Sequence, residues 1–156
     1  MRRVLVAVVL TVAGLVALLS FKTHMNSSER TVGSPQSVPP LLAGGVGITP
    51  LRTMMAALTG SVTLVYRASS WQDVALRSEL ETLAAERGGR VHYVIGTRSE
   101  LGGDPLTADA LREFAPGLET MDAYVCGPPG MTAAAVAALR AAGAPRRRIH
   151  VEAFEF

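Results

Sequence analysis

Residues 41–58 read LLAGGVGITPLRTMMAAL, and this stretch decides the fold. Leu41, Leu42 and Ala43 close a short apolar strand, and Pro50 opens the helical pattern that runs on to Leu58. Gly44, Gly45 and Gly47 stand between them. Glycine admits positive φ and lets another group reach the main chain unhindered by a Cβ. A glycine turn that leads into a helix aims backbone N–H groups at one point, and the helix dipole adds partial positive charge there. The stretch therefore reads as strand, anion-binding turn, helix. Gly45-Val46-Gly47-Ile48-Thr49-Pro50 is G-x-G-x-x-P, a dinucleotide turn with proline in place of the third glycine. Proline suits the first helical position, where its missing N–H is no loss. A Walker-type phosphate loop is excluded, because no Lys-Ser or Lys-Thr follows the glycines.

Downstream, strand and helix signals alternate. Val62–Tyr66 is β-branched and apolar, and Asp73–Glu86 has helical spacing through Val74, Leu76, Leu80 and Leu83 until Gly88-Gly89. Val91–Ile95 is the next strand, and Thr107 caps a short helix over Ala108–Phe114 with Asp109 in its first turn. Ala123–Cys126 is a fourth strand. Gly127-Pro128-Pro129-Gly130 turns it into a helix over Met131–Ala142, and Ile149-His150-Val151 begins a last strand. Strands separated by helices of this length predict an α/β fold, a doubly wound, Rossmann-like parallel sheet of about five strands. Ligands of such sheets bind at the carboxyl ends of the strands.

The residue type at the end of the second strand bears on which dinucleotide is expected. NAD-binding domains place Asp or Glu there, roughly 20 residues past the glycines, to accept from the ribose hydroxyls. This chain has Arg67-Ala68-Ser69-Ser70. A cation with hydroxyls suits a 2′-phosphate and favours NADP over NAD, although Arg67 also reads as an ordinary solvated charge at a strand end. Thr97-Arg98, after the third strand, is a second candidate for the same phosphate. Cys126 is either a small core hydrophobe or a site residue at a strand's carboxyl end.

The bulk composition narrows the rest. The chain has 156 residues, 49% hydrophobic and 18% charged, with net charge +2. No basic stripe interleaved with aromatics occurs, so nucleic acid is not the expected partner. A single cysteine excludes an internal disulfide framework and a Cys-rich zinc site, and His24, His92 and His150 are isolated from it and from one another, so no metal site is expected. Residues 1–21 begin with Arg2 and Arg3 and run uncharged from Val4 to Phe21, about 27 Å long as a helix. That length suits a single-pass membrane anchor, with a cleavable signal segment as the competing reading. Residues 22–40, rich in Ser, Thr, Gly and Pro, read as a linker, and residues 41–156 as the globular domain. Pro39 and Pro40 make the first strand look cut short.

Four motifs in order, LLAGGVGITPLRTMMAAL, VTLVYRAS, YVCGPPGM and the terminal IHVEAFEF, resemble the NAD(P)-binding half of the ferredoxin–NADP reductase superfamily. The resemblance implies that Gly44, Gly45, Gly47, Ile48, Thr49 and Pro50 form the pyrophosphate and ribose turn. It also implies that Arg67, Ser69, Thr97 and Arg98 hold the adenosine phosphate, and that Cys126, Gly127, Pro128 and Met131 belong to the loop beneath the nicotinamide. Glu152 matches an acid close to that cysteine, and Phe154 or Phe156 the terminal aromatic that shields the flavin. The implied activity is that of an NADPH-dependent oxidoreductase domain in membrane-linked electron transfer. Its flavin, FAD or FMN, is held by a partner or by a missing domain, since the family's flavin motif is not found and residues 22–40 leave no room for a flavin barrel. Residues 1–24 resemble the leader of small actinobacterial membrane-tethered FMN-binding proteins. Two alternatives stand beside this: a membrane-tethered nucleotide-binding module without turnover, and an inactive truncated or fused gene product. NADPH chemistry places the domain in the cytoplasm, whereas Arg2 and Arg3 favour a cytoplasmic N-terminus and hence an outward domain, so orientation stays open.

Overall fold

The computed structural model describes residues 39–154. Residues 1–38, with the expected anchor and most of the linker, and Glu155-Phe156 lie outside the described residues. Among those described, no helix is long and apolar enough to cross a membrane.

Five strands make one sheet: β1 (Pro40–Gly44), β2 (Thr63–Ala68), β3 (Arg90–Ile95), β4 (Ala123–Gly127) and β5 (Ile149–Ala153). All neighbours run parallel, in the order β3-β2-β1-β4-β5. Among the described residues four helices cover it: α1 (Ile48–Ala57), α2 (Arg77–Glu86), α3 (Ala108–Phe114) and α4 (Pro129–Ala141). Alternation along the strands sorts the core into two layers. Leu41, Ala43, Leu64, Tyr66 and Cys126 pack with Ile48, Leu51 and Met55 of α1 and with Leu80 and Ala84 of α2. Leu42, Val65 and Val125 pack on the other face with Leu111 of α3 and with Ala135, Ala138 and Leu139 of α4. The α/β expectation with a five-stranded parallel sheet is met.

Pro40 opens β1 in register with Thr63, and the first residue of a strand tolerates a missing donor. Two local expectations are corrected. Pro50 is the third residue of α1 rather than its first, because a 3-10 turn over Gly45–Gly47 already coils the chain and Ile48 starts the helix. The third position still lies among the N–H groups that lack an intrahelical acceptor. The helix expected from Asp73 starts only at Arg77. Trp71–Asp73 is a 3-10 turn, and Leu76 is left-handed at φ 58°. The cause is tertiary: the buried Tyr66 hydroxyl accepts from Ala75 N–H at 3.2 Å and donates to the Asp73 carbonyl at 3.5 Å, which holds the segment off helical geometry.

The α1–α2 pair is tied at its outer surface. Arg52 pairs with Glu79, and Arg87 reaches back to the carbonyls of Ala56 and Leu58, putting a cation at the carboxyl end of α1. Thr107 caps α3 as expected, accepting from Ala110 N–H at 3.2 Å.

Candidate functional site

The chain leaves β1 for α1 on one face of the sheet and leaves β4 for α4 on the other. The order of strands reverses between β1 and β4, and a crevice opens at their carboxyl ends. At that seam the backbones touch. A Cβ on Gly47 lands 2.1 Å from the Cys126 carbonyl oxygen and 2.7 Å from Gly127 N. One on Gly127 lands 3.0 Å from the Gly44 carbonyl oxygen. Glycine is therefore required at Gly47 by close approach. Gly45 is favoured for a different reason: its φ is +54°, and the space above it is open.

Two helix N-termini flank the seam. Neither α1 nor α4 has a side-chain cap or an acidic residue in its first turn, whereas α2 carries Glu79 there and α3 has both Thr107 and Asp109. No carboxylate in either first turn competes with an anion there, although Ile48 N–H already bonds the Gly45 and Val46 carbonyls and the N–H groups of Met131 and Thr132 bond the Pro128 carbonyl.

From the seam a cleft of about 1020 Å³ runs across the ends of β2 and β3. The structure places Gly44, Gly45, Ile48, Thr49, Arg67, Ser69, Thr97, Arg98, Pro128 and Met131 on its walls. Gly47, Pro50, Gly127, Cys126, Glu152 and Phe154 do not line it. Gly47 and Gly127 lie beneath, in the backbone contact just described, and Pro50 sits further along α1. Cys126 is 2% exposed, and Glu152 stands in register with it on β5. Burial and then the nearby Glu152 charge push the Cys126 thiol up from its ordinary range, so it stays protonated near neutrality. Phe154 packs against the α1–α2 core layer and donates its N–H to the Gly127 carbonyl at 3.2 Å. Phe156 lies outside the described residues.

The polar groups at the far end are already engaged. Arg67 donates to the carbonyls of Ala68 and Val94, the latter at 3.1 Å. Arg98 pairs with Asp104 at 2.9 Å and donates to the Gly130 carbonyl at 3.2 Å, joining the loop after β3 to the start of α4. Thr97 donates from its N–H (2.7 Å) and hydroxyl (2.8 Å) to Glu100, which lowers the Glu100 pKa. Ser69 is exposed at the end of β2.

Several wall residues were not expected from the sequence: Tyr66, Asp73, Leu76 and Asp104. The pattern Ser70-x-x-Asp73 hints at a local turn, and Ser70 does donate to Asp73 at 2.8 Å. Nothing local marks Asp104, whose partner Arg98 is brought to it by a loop. Behind this end, Trp71, Tyr93 and Tyr66 form an aromatic group, with the Arg77 guanidinium 4.8 Å from the Trp71 ring centre. Burial, then Glu81, pushes the Tyr93 phenol up to about 12.

Residues 41–137 match the family model of the oxidoreductase NAD-binding domain. The ferredoxin reductase component of a 3-ketosteroid-9-alpha-monooxygenase from Mycolicibacterium smegmatis is 37% identical over 119 residues, 74% of this chain and 33% of that protein. NADH-cytochrome b5 reductase 1 of Pyricularia oryzae is 32% identical over 121 residues, 69% of this chain and 39% of that one. A solved structure, the Amycolatopsis cytochrome P450 reductase, superposes with a TM-score of 0.60 at 30% identity, covering 78% of this chain and 39% of its own. The chain spans only 22% to 42% of the length of curated relatives such as these.

Proposed function

The chain belongs to the oxidoreductase NAD-binding domain family, and from that premise we propose that it binds NADPH and presents the nicotinamide to a flavin held outside residues 39–154. The observation that carries this reading is the seam, where glycines of the first turn meet the Cys126–Gly127 backbone beneath an open cleft between two uncapped helix N-termini. The residues fit the cofactor. A diphosphate needs main-chain donors with no Cβ in the way, and the Gly45 turn offers open space over a positive-φ glycine.

Gly44, Gly45, Gly47, Ile48, Thr49 and Pro50 hold the pyrophosphate and its ribose. Arg67, Ser69, Thr97 and Arg98 take the 2′-phosphate at the β2–β3 end, and Arg67 and Arg98 must then exchange present partners for it. Gly127, Pro128 and Met131 floor the nicotinamide subsite. Met131 and Pro128 already crowd Gly44, with 3.2 and 3.4 Å to a Cβ there, which fixes the width of that subsite. Cys126 orients the ring through a protonated, uncharged thiol, Glu152 sets the field beside it, and Phe154 shields the acceptor side. When bound, the nicotinamide supplies two electrons and a proton as hydride. The protein's part is to align the ring and exclude water.

Relatives named as a ferredoxin reductase component and a cytochrome b5 reductase support electron transfer to a redox partner. The latter is named for NADH, so the choice of NADPH rests on Arg67, Ser69, Thr97 and Arg98. We place the reaction at a membrane, with residues 1–21 as anchor and the domain on the cytoplasmic side, on the uncharged run from Val4 to Phe21 and the chemistry of NADPH. Trp71 is the only tryptophan of the sequence and is half exposed behind the β2–β3 end of the cleft, so its fluorescence reports binding there. NADPH is expected to quench it at lower concentration than NADH, and addition of a flavin-domain partner to give NADPH-driven dye reduction. Quenching by neither nucleotide overturns the reading.

A further inference from the structure

β5 ends the sheet, and among the described residues nothing pairs with its outer edge. Its side chains sort by face. His150 stacks on Tyr124 and its Nε2 is already 3.0 Å from Asp122 Oδ1, and Glu152 stands in register with Cys126, so both belong to the α1–α2 face. Val151 and Ala153 face a shallow groove of about 440 Å³ that α4 lines with Ala133, Val136 and Ala137, with Thr132 and Arg140 beside them. Val151 is 50% exposed. A free edge with unpaired main-chain groups beside apolar side chains is a template for another strand.

We propose that the strand it takes is β5 of a second copy of this chain, antiparallel, with a two-fold axis passing through the pair at Val151. An axis normal to the sheet keeps every side chain on its own face, so the register must centre on a residue of β5. Centring on His150 sets two imidazoles opposite each other, and centring on Glu152 sets two carboxylates opposite each other, which is unfavourable. Centring on Val151 opposes His150 to the partner's Glu152, and Glu152 to the partner's His150. On the other face Val151 meets the partner's Val151, and Ile149 meets the partner's Ala153. Both faces are then self-complementary, as an isologous interface requires. Ala133 and Ala137, four residues apart on one face of α4, let the two α4 helices approach closely where they run antiparallel beside the axis. The pairing is independent of nucleotide binding.

The test uses the full-length chain in mild detergent. Val151→Cys is expected to be joined into a dimer by a short bis-maleimide cross-linker, because directly opposed cross-strand residues at the axis carry Cβ atoms about 5 Å apart. Leu101→Cys, exposed in the loop beyond β3, reports random collision and is expected to stay monomeric; the native Cys126 is buried and contributes to neither. Adding Glu152→Lys places a cation opposite the partner's His150 twice and lowers cross-linking roughly tenfold, whereas adding His150→Lys retains it. Circular dichroism confirms that each variant is folded. Cross-linking of Val151→Cys no faster than that of Leu101→Cys overturns the proposal, as does an absence of effect from Glu152→Lys. A monomer whose β5 amides are protected from hydrogen exchange also overturns it, since another segment of the same chain then covers the edge.

Discussion

The two ends of the cleft are made of different material. At the β1–β4 seam the support beneath the cleft is main chain, where Gly44, Gly47, Cys126 and Gly127 touch backbone to backbone. At the β2–β3 end the wall is long side chains, Arg67 and Arg98 above all, each already bonded to something else. Main-chain donors cost no ordering entropy when a ligand arrives, since the fold has already fixed them. Side chains that must change partners lose rotamer freedom and existing bonds first. The seam is therefore expected to supply affinity common to any pyridine nucleotide. The far end should supply only the difference between two of them.

The largest effect expected from this contrast lies at Gly47. Gly47→Val forces a side chain onto the Cys126 carbonyl, and neither backbone can move without breaking β1–β4 pairing. Stability should fall by about 3 kcal/mol, read as a drop in the thermal or urea midpoint. Binding of NADPH and NADH should be lost together, by on the order of 100-fold or more. Gly130→Ala is the control. No atom lies within 4 Å of a Cβ there, and the residue is in the first turn of α4, so stability should change by less than about 0.5 kcal/mol. If both glycines tolerate substitution equally, the seam is not the rigid element described here.

The same contrast explains what the sequence made legible. A glycine that must be glycine is visible in one dimension, and the turn at Gly44–Gly47, its strand and the helix beyond it were read from residues 41–58 alone. Thr107 was equally legible, because a cap is satisfied three residues away by Ala110 N–H. What failed were features set by distant atoms. The spacing of Val74, Leu76, Leu80 and Leu83 is helical, yet the Tyr66 hydroxyl holds Asp73 and Ala75 out of the helix from the neighbouring strand. Pro50 was placed at the first helical position because nothing local says that Gly45–Gly47 already coils. At the far end the charges were legible and their partners were not. Arg98 was identified as a phosphate candidate, but Asp104 and the Gly130 carbonyl reach it only through tertiary geometry.

A smaller effect, confined to one ligand, is expected at the far end. Arg67→Ala removes the guanidinium that we assign to the 2′-phosphate. Charge-assisted bonds of that kind carry enough energy for NADPH to bind about tenfold more weakly while NADH changes less than about twofold. Parallel titrations of Trp71 fluorescence measure both. The variant also gives up the bond to the Val94 carbonyl at 3.1 Å, so its melting temperature is recorded alongside. Equal losses for the two nucleotides, with the fold intact, would merge the far end with the seam and remove the NADP assignment.

The smallest effect sharpens the comparison most, because it runs in the favourable direction. Asp104 pairs with Arg98 and therefore competes with any phosphate for the same guanidinium. Asp104→Asn removes the competing charge but keeps an acceptor oxygen for Leu106 N–H, which now bonds the carboxylate at 3.1 Å. Side-chain exposures of 58% for Arg98 and 31% for Asp104 leave the pair well screened by water, so only a modest gain follows, about threefold tighter NADPH binding. NADH, which brings no phosphate to that position, should be unaffected, and the gain should shrink as salt is raised. A rise in affinity for both nucleotides would mean that Asp104 repels the diphosphate along the whole cleft instead of holding Arg98 in reserve, and the division between seam and far end would then have to be redrawn.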